Sequence, residues 1–293
     1  MALRVAGDRW REASRSPWPE VEMVEVDRKT FLASLPAGAL AVMSHEDKAE
    51  ALEHYMEDEL DKKIAARRGE ADGEAGSIIT LEELEQEGPR APRGTGRLFT
   101  PREDEFAPMP EAPTLLDFFR LRFAPANHVL QSATHALTTG QPERTIFACL
   151  MHDVVLNLIR GDHGFWGAQL IEPYVDPRVA WGIRYHGPLR FYADDDFGYE
   201  YPEMYNRIFG HDYVPEPYIK QAYEHARGHA WYGEARLITV NDTYAFQDEM
   251  DVDIEVFTDI IGRQFRQPRE GLGYDNSPVA HMWRTMANPN RPL

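Results

Sequence analysis

Apolar residues recur at three- and four-residue spacing through residues 113–266, the period of helices that bury one face. The pattern predicts helices near 114–122, 126–139, 142–159, 163–174, 176–187, 201–209, 215–231, 233–247 and 252–265. Gly, Pro and Asp punctuate it at 140–142, 161–162 and 176–177, where turns are expected. Few segments alternate as strands do. The expected fold class is all-α, a helical bundle.

Residues 1–112 read as an N-terminal extension. Residues 20–26 alternate in a partly strand-like way, and a short apolar stretch follows at 37–43. Ser44 is a candidate N-cap, with Asp47 three residues on near the capping-box position. The helix it opens runs to about Arg68, with Ala51, Leu52, Tyr55, Met56 and Leu60 as its apolar stripe. Its other side is dense in Glu, Asp and Lys and reads as a solvated face. The stripe is expected to pack on the bundle or on a second subunit, so a homodimer is one expectation. Residues 70–76 suggest a loop, and 80–87 a short helix capped by Thr80. Residues 88–113 carry Pro89, Pro92, Pro101, Pro108, Pro110 and Pro113, as a linker or a surface arm does. The tail, 267–293, is Gly/Pro/Asn-rich and expected to be irregular. The extension is expected to cover the bundle and narrow a pocket, or to contribute to dimerisation.

Composition narrows the function classes. Apolar residues make up 43% of the 293-residue chain, enough for a core. The formal net charge is −18, and such a field repels nucleic acids and acidic membranes. Cys149 is the single cysteine, so no intrachain disulfide forms, which suits a reducing cytosol. No apolar run is long enough to span a bilayer, and the first residues lack a secretory signal. A cytoplasmic location is expected.

The chemistry is carried by histidines and aspartates. His152 and Asp153 are adjacent within an apolar run whose neighbours include Ile146, Cys149, Leu150, Met151, Val154 and Val155. A buried His beside a buried Asp is costly unless both are paired or bound to metal, and imidazole and carboxylate suit iron, zinc or manganese. A dipeptide alone is weak, but His128, His163, His186 and Asp242 fall on separate expected helices before and after it. Such a set suits a metal site in a bundle core. His135 shares a helix face with His128 and is an alternative ligand. His211, and the i, i+4 pair His225 and His229, are further candidates, more simply read as exposed. The aromatic group Tyr199, Tyr201, Tyr205 and Phe209 fits core packing or the roof of a pocket.

The ordered stretches His128-Val-Leu-Gln-Ser-Ala133, Ala148-Cys-Leu-Met-His-Asp153, His163-Gly-Phe-Trp-Gly-Ala168, Ile183-Arg-Tyr-His-Gly-Pro-Leu-Arg190 and Ala235-Arg-Leu-Ile-Thr-Val-Asn-Asp242 resemble the HD-domain superfamily. Within it they resemble the mixed-valent diiron oxygenases, which include the phosphonate-cleaving HD oxygenases and, more distantly, myo-inositol oxygenase. The resemblance covers residues 113–266, about half the chain. It implies an HD helical bundle in which His128, His152 and Asp242 bind one metal, His163 and His186 bind the second, and Asp153 bridges both. It also implies two iron ions in a mixed-valent Fe(II)/Fe(III) pair, with Mn or Zn as alternatives. Asp153 and Arg190 are the catalytic candidates. Arg190 stands where the phosphonate enzymes place a Lys that helps hold an anionic substrate, and a guanidinium suits a carboxylate or phosphate. Leu156 stands where the family often has a substrate-reaching His or Lys. The 153–163 segment is shorter than in the phosphonate enzymes.

The resulting expectation is an oxygenase that activates O2 for C–H oxidation, or C–C or C–P cleavage, of a small, anionic substrate. The alternative is a metal-dependent phosphohydrolase acting on a phosphate ester or nucleotide, from the same superfamily. A non-catalytic metal domain is the third reading.

Overall fold

The computed structural model describes residues 24–35, 43–68, 107–123, 126–156, 162–211 and 213–288. Among these the chain is all-α; the one β-type pairing is an isolated antiparallel bridge between Asp194 and Tyr199. The helices are α1 (Arg28–Ser34), α2 (His45–Arg68), α3 (Leu115–Leu121), α4 (Asn127–Thr138), α5 (Glu143–Met151), α6 (His163–Ile171), α7 (Pro177–Leu189), α8 (Glu203–Phe209), α9 (Pro217–Arg227), α10 (Tyr232–Thr243), α11 (Thr258–Gln264) and α12 (Ala280–Ala287). Short 3-10 turns follow α6 and precede α11. The expected helix at 80–87 and the Pro-rich arm before residue 107 lie outside the described residues. None of the described helices is long and apolar enough to cross a membrane.

Helix ends follow local chemistry. Ser44 and Asp47 form the expected capping box: the Asp47 amide donates to Ser44 Oγ at 3.0 Å, and the Ser44 amide to the Asp47 carboxylate at 2.9 Å. Thr114 and Asp117 do the same for α3, while Asp176 caps α7 ahead of Pro177. One boundary departs from the apolar pattern. The helix expected over 142–159 ends at Met151, and 152–156 form a turn in which the Leu156 amide donates to the Asp153 carbonyl at 2.9 Å. The apolar run continues, but the His152 ring takes a last-turn carbonyl, that of Cys149.

The main core is formed by α3 to α7, α10 and α11, with Phe118, Phe147, Leu150, Met151, Leu170, Ile183 and Ile238 fully buried. The tail is not wholly irregular. α12 drives Trp283 into this core, edge-on to Phe118 at 4.8 Å, with its indole N–H donating to the Leu170 carbonyl at 3.1 Å. A second core sits under α2, where Leu52, Met56, Leu60 and Ile64 meet Phe191, Tyr205, Ile208 and Phe246. α2 therefore lies on the bundle as its stripe predicts. The stretch at 24–27 is extended, not a strand, and the Val24 amide donates to the Phe246 carbonyl at 3.0 Å.

Because Trp283 fills the core and satisfies its own indole, Trp283→Ala is expected to destabilise the protein by about 3–5 kcal/mol. Urea unfolding read by circular dichroism measures this; an unchanged midpoint would show that α12 is peripheral.

Candidate metal centre

Five segments converge on one point. His128 stands in the first turn of α4, His152 and Asp153 at the end of α5, His163 at the start of α6, His186 in the last turn of α7, and Asp242 in the last turn of α10. All six are buried. The approach of α6 to α7 needs Gly164, since a Cβ there would stand 2.8 Å from the Ile183 carbonyl oxygen and 3.2 Å from the His186 ring. α10 is tied to α7 by Thr239, whose hydroxyl donates to the His186 carbonyl at 3.0 Å.

The decisive feature is the orientation of the four imidazoles. Each Nδ1 faces an atom that only accepts: His128 the Ala245 carbonyl at 3.2 Å, His152 the Cys149 carbonyl at 2.8 Å, His186 the Ile183 carbonyl at 2.6 Å and His163 a Glu50 carboxylate oxygen at 2.7 Å. Each Nδ1 therefore carries the hydrogen, and each Nε2 is left to act at the centre. The Nε2 atoms pair up, His128 with His152 at 3.3 Å and His163 with His186 at 3.2 Å. Two neutral rings so oriented would set lone pair against lone pair. Protons or metal ions must lie between them.

Asp153 joins the two pairs. Its Oδ2 lies 3.2 Å from His152 Nε2 and 3.5 Å from His128 Nε2, while Oδ1 lies 3.1 Å from His163 Nε2 and 3.5 Å from His186 Nε2. Asp242 Oδ1 closes the first pair, 2.9 Å from His128 Nε2 and 3.8 Å from His152 Nε2. Neither Asp153 oxygen, nor Asp242 Oδ1, has a conventional hydrogen-bond partner despite burial. Orphaned carboxylate oxygens facing imidazole Nε2 atoms are the donor set of a cation site. These buried His, Asp and Glu groups can hold metal, while the donors alone leave the metal's identity open.

Electrostatics agrees. Burial alone would lower the His128 pKa, but the Asp153 and Asp242 carboxylates close to its Nε2, with the charge of Glu57 beyond them, push it up to about 10. Burial opposes ionisation of Asp153 too, yet His152 and His163 hold its carboxyl well below the usual range. His186 is pushed down, by burial first.

The remaining candidates fall elsewhere. His135 points away from the centre, its Nδ1 2.5 Å from Asn241 Oδ1 and its ring stacked on Tyr244. His225 and His229 stack at the surface, His229 against Trp181 at 4.5 Å. Arg190 differs from expectation. It is 3% exposed, and its guanidinium is paired with Glu50 at 2.5 Å and with Glu53. The fork expected to bind an anionic substrate is already occupied by two carboxylates of α2.

Those carboxylates were not read as functional in the sequence, where α2's acidic side suggested a solvated face. Glu50, Glu53 and His54 are buried. Glu50 orients His163, as outer carboxylates orient metal-bound histidines. Glu53 is pushed up to about 7 by burial, against the pull of Arg190 and with Asp242, Asp153 and Glu50 adding to the rise. Next to the centre lies a cavity of about 650 Å³ whose wall includes Asp242, Glu53, Arg190, Tyr199, Tyr201 and Tyr205. The aromatic group thus serves as pocket wall as well as packing.

Neither the comparison with protein-family models nor that with curated proteins finds a match for this chain.

Metal and protons compete for the same Nε2 atoms. With His128 raised to about 10, protons hold the site at neutral pH, and affinity for metal rises as pH rises toward that value, by about tenfold per pH unit for each proton displaced. Calorimetric titration at pH 6, 7 and 8 in buffers of different ionisation enthalpy checks both the trend and the proton release; pH-independent affinity would contradict it. Glu50→Gln is expected to weaken the metal at His163 and His186 by about 10–100-fold, read in the same titration.

Proposed function

We propose that the protein is an HD-type dinuclear metal enzyme, and that with iron bound it is an oxygenase acting on a small molecule. The observation that carries the dinuclear reading is Asp153, one carboxylate with each oxygen turned toward a separate pair of imidazoles. The order of His128, His152–Asp153, His163, His186 and Asp242 supports the resemblance to the mixed-valent diiron oxygenases. Bound iron would supply the activation of O2 and the oxidation of a substrate C–H bond, chemistry that side chains do not provide.

The chain's own residues have definable parts in this. His128, His152 and Asp242 would hold one ion, His163 and His186 the other, and Asp153 would span them. Glu50 and the three backbone carbonyls fix the ring orientations. α2 and the apolar residues beneath it exclude water from one side, leaving the 650 Å³ cavity beside Asp242 as the place for substrate. Tyr199, Tyr201, Tyr205 and Tyr244 give that cavity flat aromatic walls, suited to a compact organic molecule. Glu53, near neutrality and on the wall, can accept or return a proton at its carboxylate.

The same wall favours oxidation over phosphate-ester hydrolysis. Glu25, Glu53, Glu200, Glu203 and Asp242 face the cavity against Arg190 and Arg207, and Arg190 is already ion-paired. Phosphoryl transfer is usually assisted by free cationic clamps beyond the metals. The anionic substrate expected from Arg190 alone loses its support for the same reason.

Iron-loaded protein, partly reduced without oxygen, is expected to give the EPR signal of a coupled Fe(II)/Fe(III) pair and to consume O2 with a suitable C–H substrate. Asp153→Asn should abolish the coupled signal. Manganese- or zinc-loaded protein that hydrolyses phosphate esters, with no coupled iron signal obtainable, would overturn the oxygenase reading.

A further inference from the structure

Glu50, Glu53, Glu57 and Asp61 are spaced three, four and four residues apart on α2, so they share one helix face. Glu57 lies two turns beyond Glu50, about 10 Å along the axis. Glu50 serves the His163 end of the centre, and Glu57 reaches the His128 end. Its carboxylate, a ring nitrogen of His128 and an oxygen of Asp153 all lie within 4.8 Å of one another. The helix is held in this register from both sides: Leu60 and Ile64 are buried in the second core, and the Asn127 amide, next to His128, donates to Asp61 at 2.8 Å.

The surroundings of Glu57 call for a cation. Glu57 is half-buried, with the His128 ring and the Asp153 carboxylate beside it. Close by, both oxygens of Asp153 and Oδ1 of Asp242 are buried and unpartnered. Three carboxylate oxygens, from Asp153, Asp242 and Glu57, and two imidazole nitrogens, from His128 and His152, thus face a common space without donors enough to satisfy them.

We infer that Glu57 is a further ligand of the metal ion held by His128, His152 and Asp242, a carboxylate that α2 delivers from outside the core bundle. This rests on the dinuclear reading above. The two ions are then held unequally. The first has His128, His152, Asp242, Glu57 and one oxygen of Asp153; the second has His163, His186 and the other oxygen of Asp153. The first site is the tighter, and the second keeps more positions for exogenous ligands.

Titration of the metal-free full chain with Mn2+, with free Mn2+ followed by EPR, tests this. The wild type is expected to bind in two steps of unequal affinity. Glu57→Gln should weaken the tighter step by about 100-fold and leave the weaker step in place. Glu57→Asp, which keeps the charge on a shorter arm, should fall between them. Glu59→Gln, on the exposed side with Lys62, should match the wild type, and far-ultraviolet circular dichroism should be the same for all four proteins. Two steps in Glu57→Gln with wild-type affinities overturn the inference and leave the dinuclear reading standing. A wild type that binds no Mn2+ and no Fe(II) overturns both.

Discussion

A single carboxylate placed between two pairs of imidazoles sets the terms for the rest of this structure. Asp153 is deeply buried, and burying a charge without compensation costs far more than a domain can supply. The compensation comes from the protons or metal ions that four Nε2 atoms can hold against it, on four segments between residues 128 and 186. Each ring is aimed by a hydrogen bond on its other nitrogen, three to backbone carbonyls and one to Glu50. Bringing the four Nε2 atoms and Asp242 to one point in turn requires α4, α5, α6, α7 and α10 to sit at fixed depths. The apolar core around Phe147, Leu150, Leu170, Ile183 and Ile238 provides that rigidity. Gly164 allows the one approach that a side chain would block.

The N-terminal extension is part of this arrangement through α2. Its apolar stripe buries against Phe191, Tyr205 and Phe246, and the adjacent acidic column enters the centre. Arg190 makes this tolerable. As a buried guanidinium between Glu50 and Glu53 it relieves the acidic groups that α2 brings up to Asp153 and Asp242. A residue that resembles a substrate anchor in the sequence thus acts as an internal counter-ion. Buried pairs of this kind are weak sources of net stability; what Arg190 secures is the position of α2 over the metal centre.

Much of the bundle was legible in the sequence because helical periodicity and capping act locally. Residues 113–266 show the three- and four-residue period, and Ser44 with Asp47 announces α2. The six residues of the centre were named through the resemblance that their order and types carry, which chose His128 over His135, and the structure brings these six together. What escaped depends on partners far along the chain. Glu50 meets His163, and Glu53 meets Arg190, more than a hundred residues away, so nothing local distinguishes them from solvated acids. One signal was available: Glu50, Glu53, Glu57 and Asp61 run beside Leu52, Met56, Leu60 and Ile64, and two adjoining stripes imply a buried face wider than the apolar one alone. α1 and α12 were missed because each is only about two turns long and stands outside the periodic stretch 113–266, α12 in a tail whose Gly, Pro and Asn point to irregular structure. The end of α5 was missed because the apolar run continues past Met151 while the helix does not.

Anomalous diffraction at the iron edge, from crystals of the iron-loaded protein, tests the bridging role of Asp153 most directly. The account predicts two peaks about 3.5–4 Å apart, one beside His128, His152 and Asp242, the other beside His163 and His186, with Asp153 between them. A single peak that leaves His163 and His186 free, or no peak among these six residues, would contradict it.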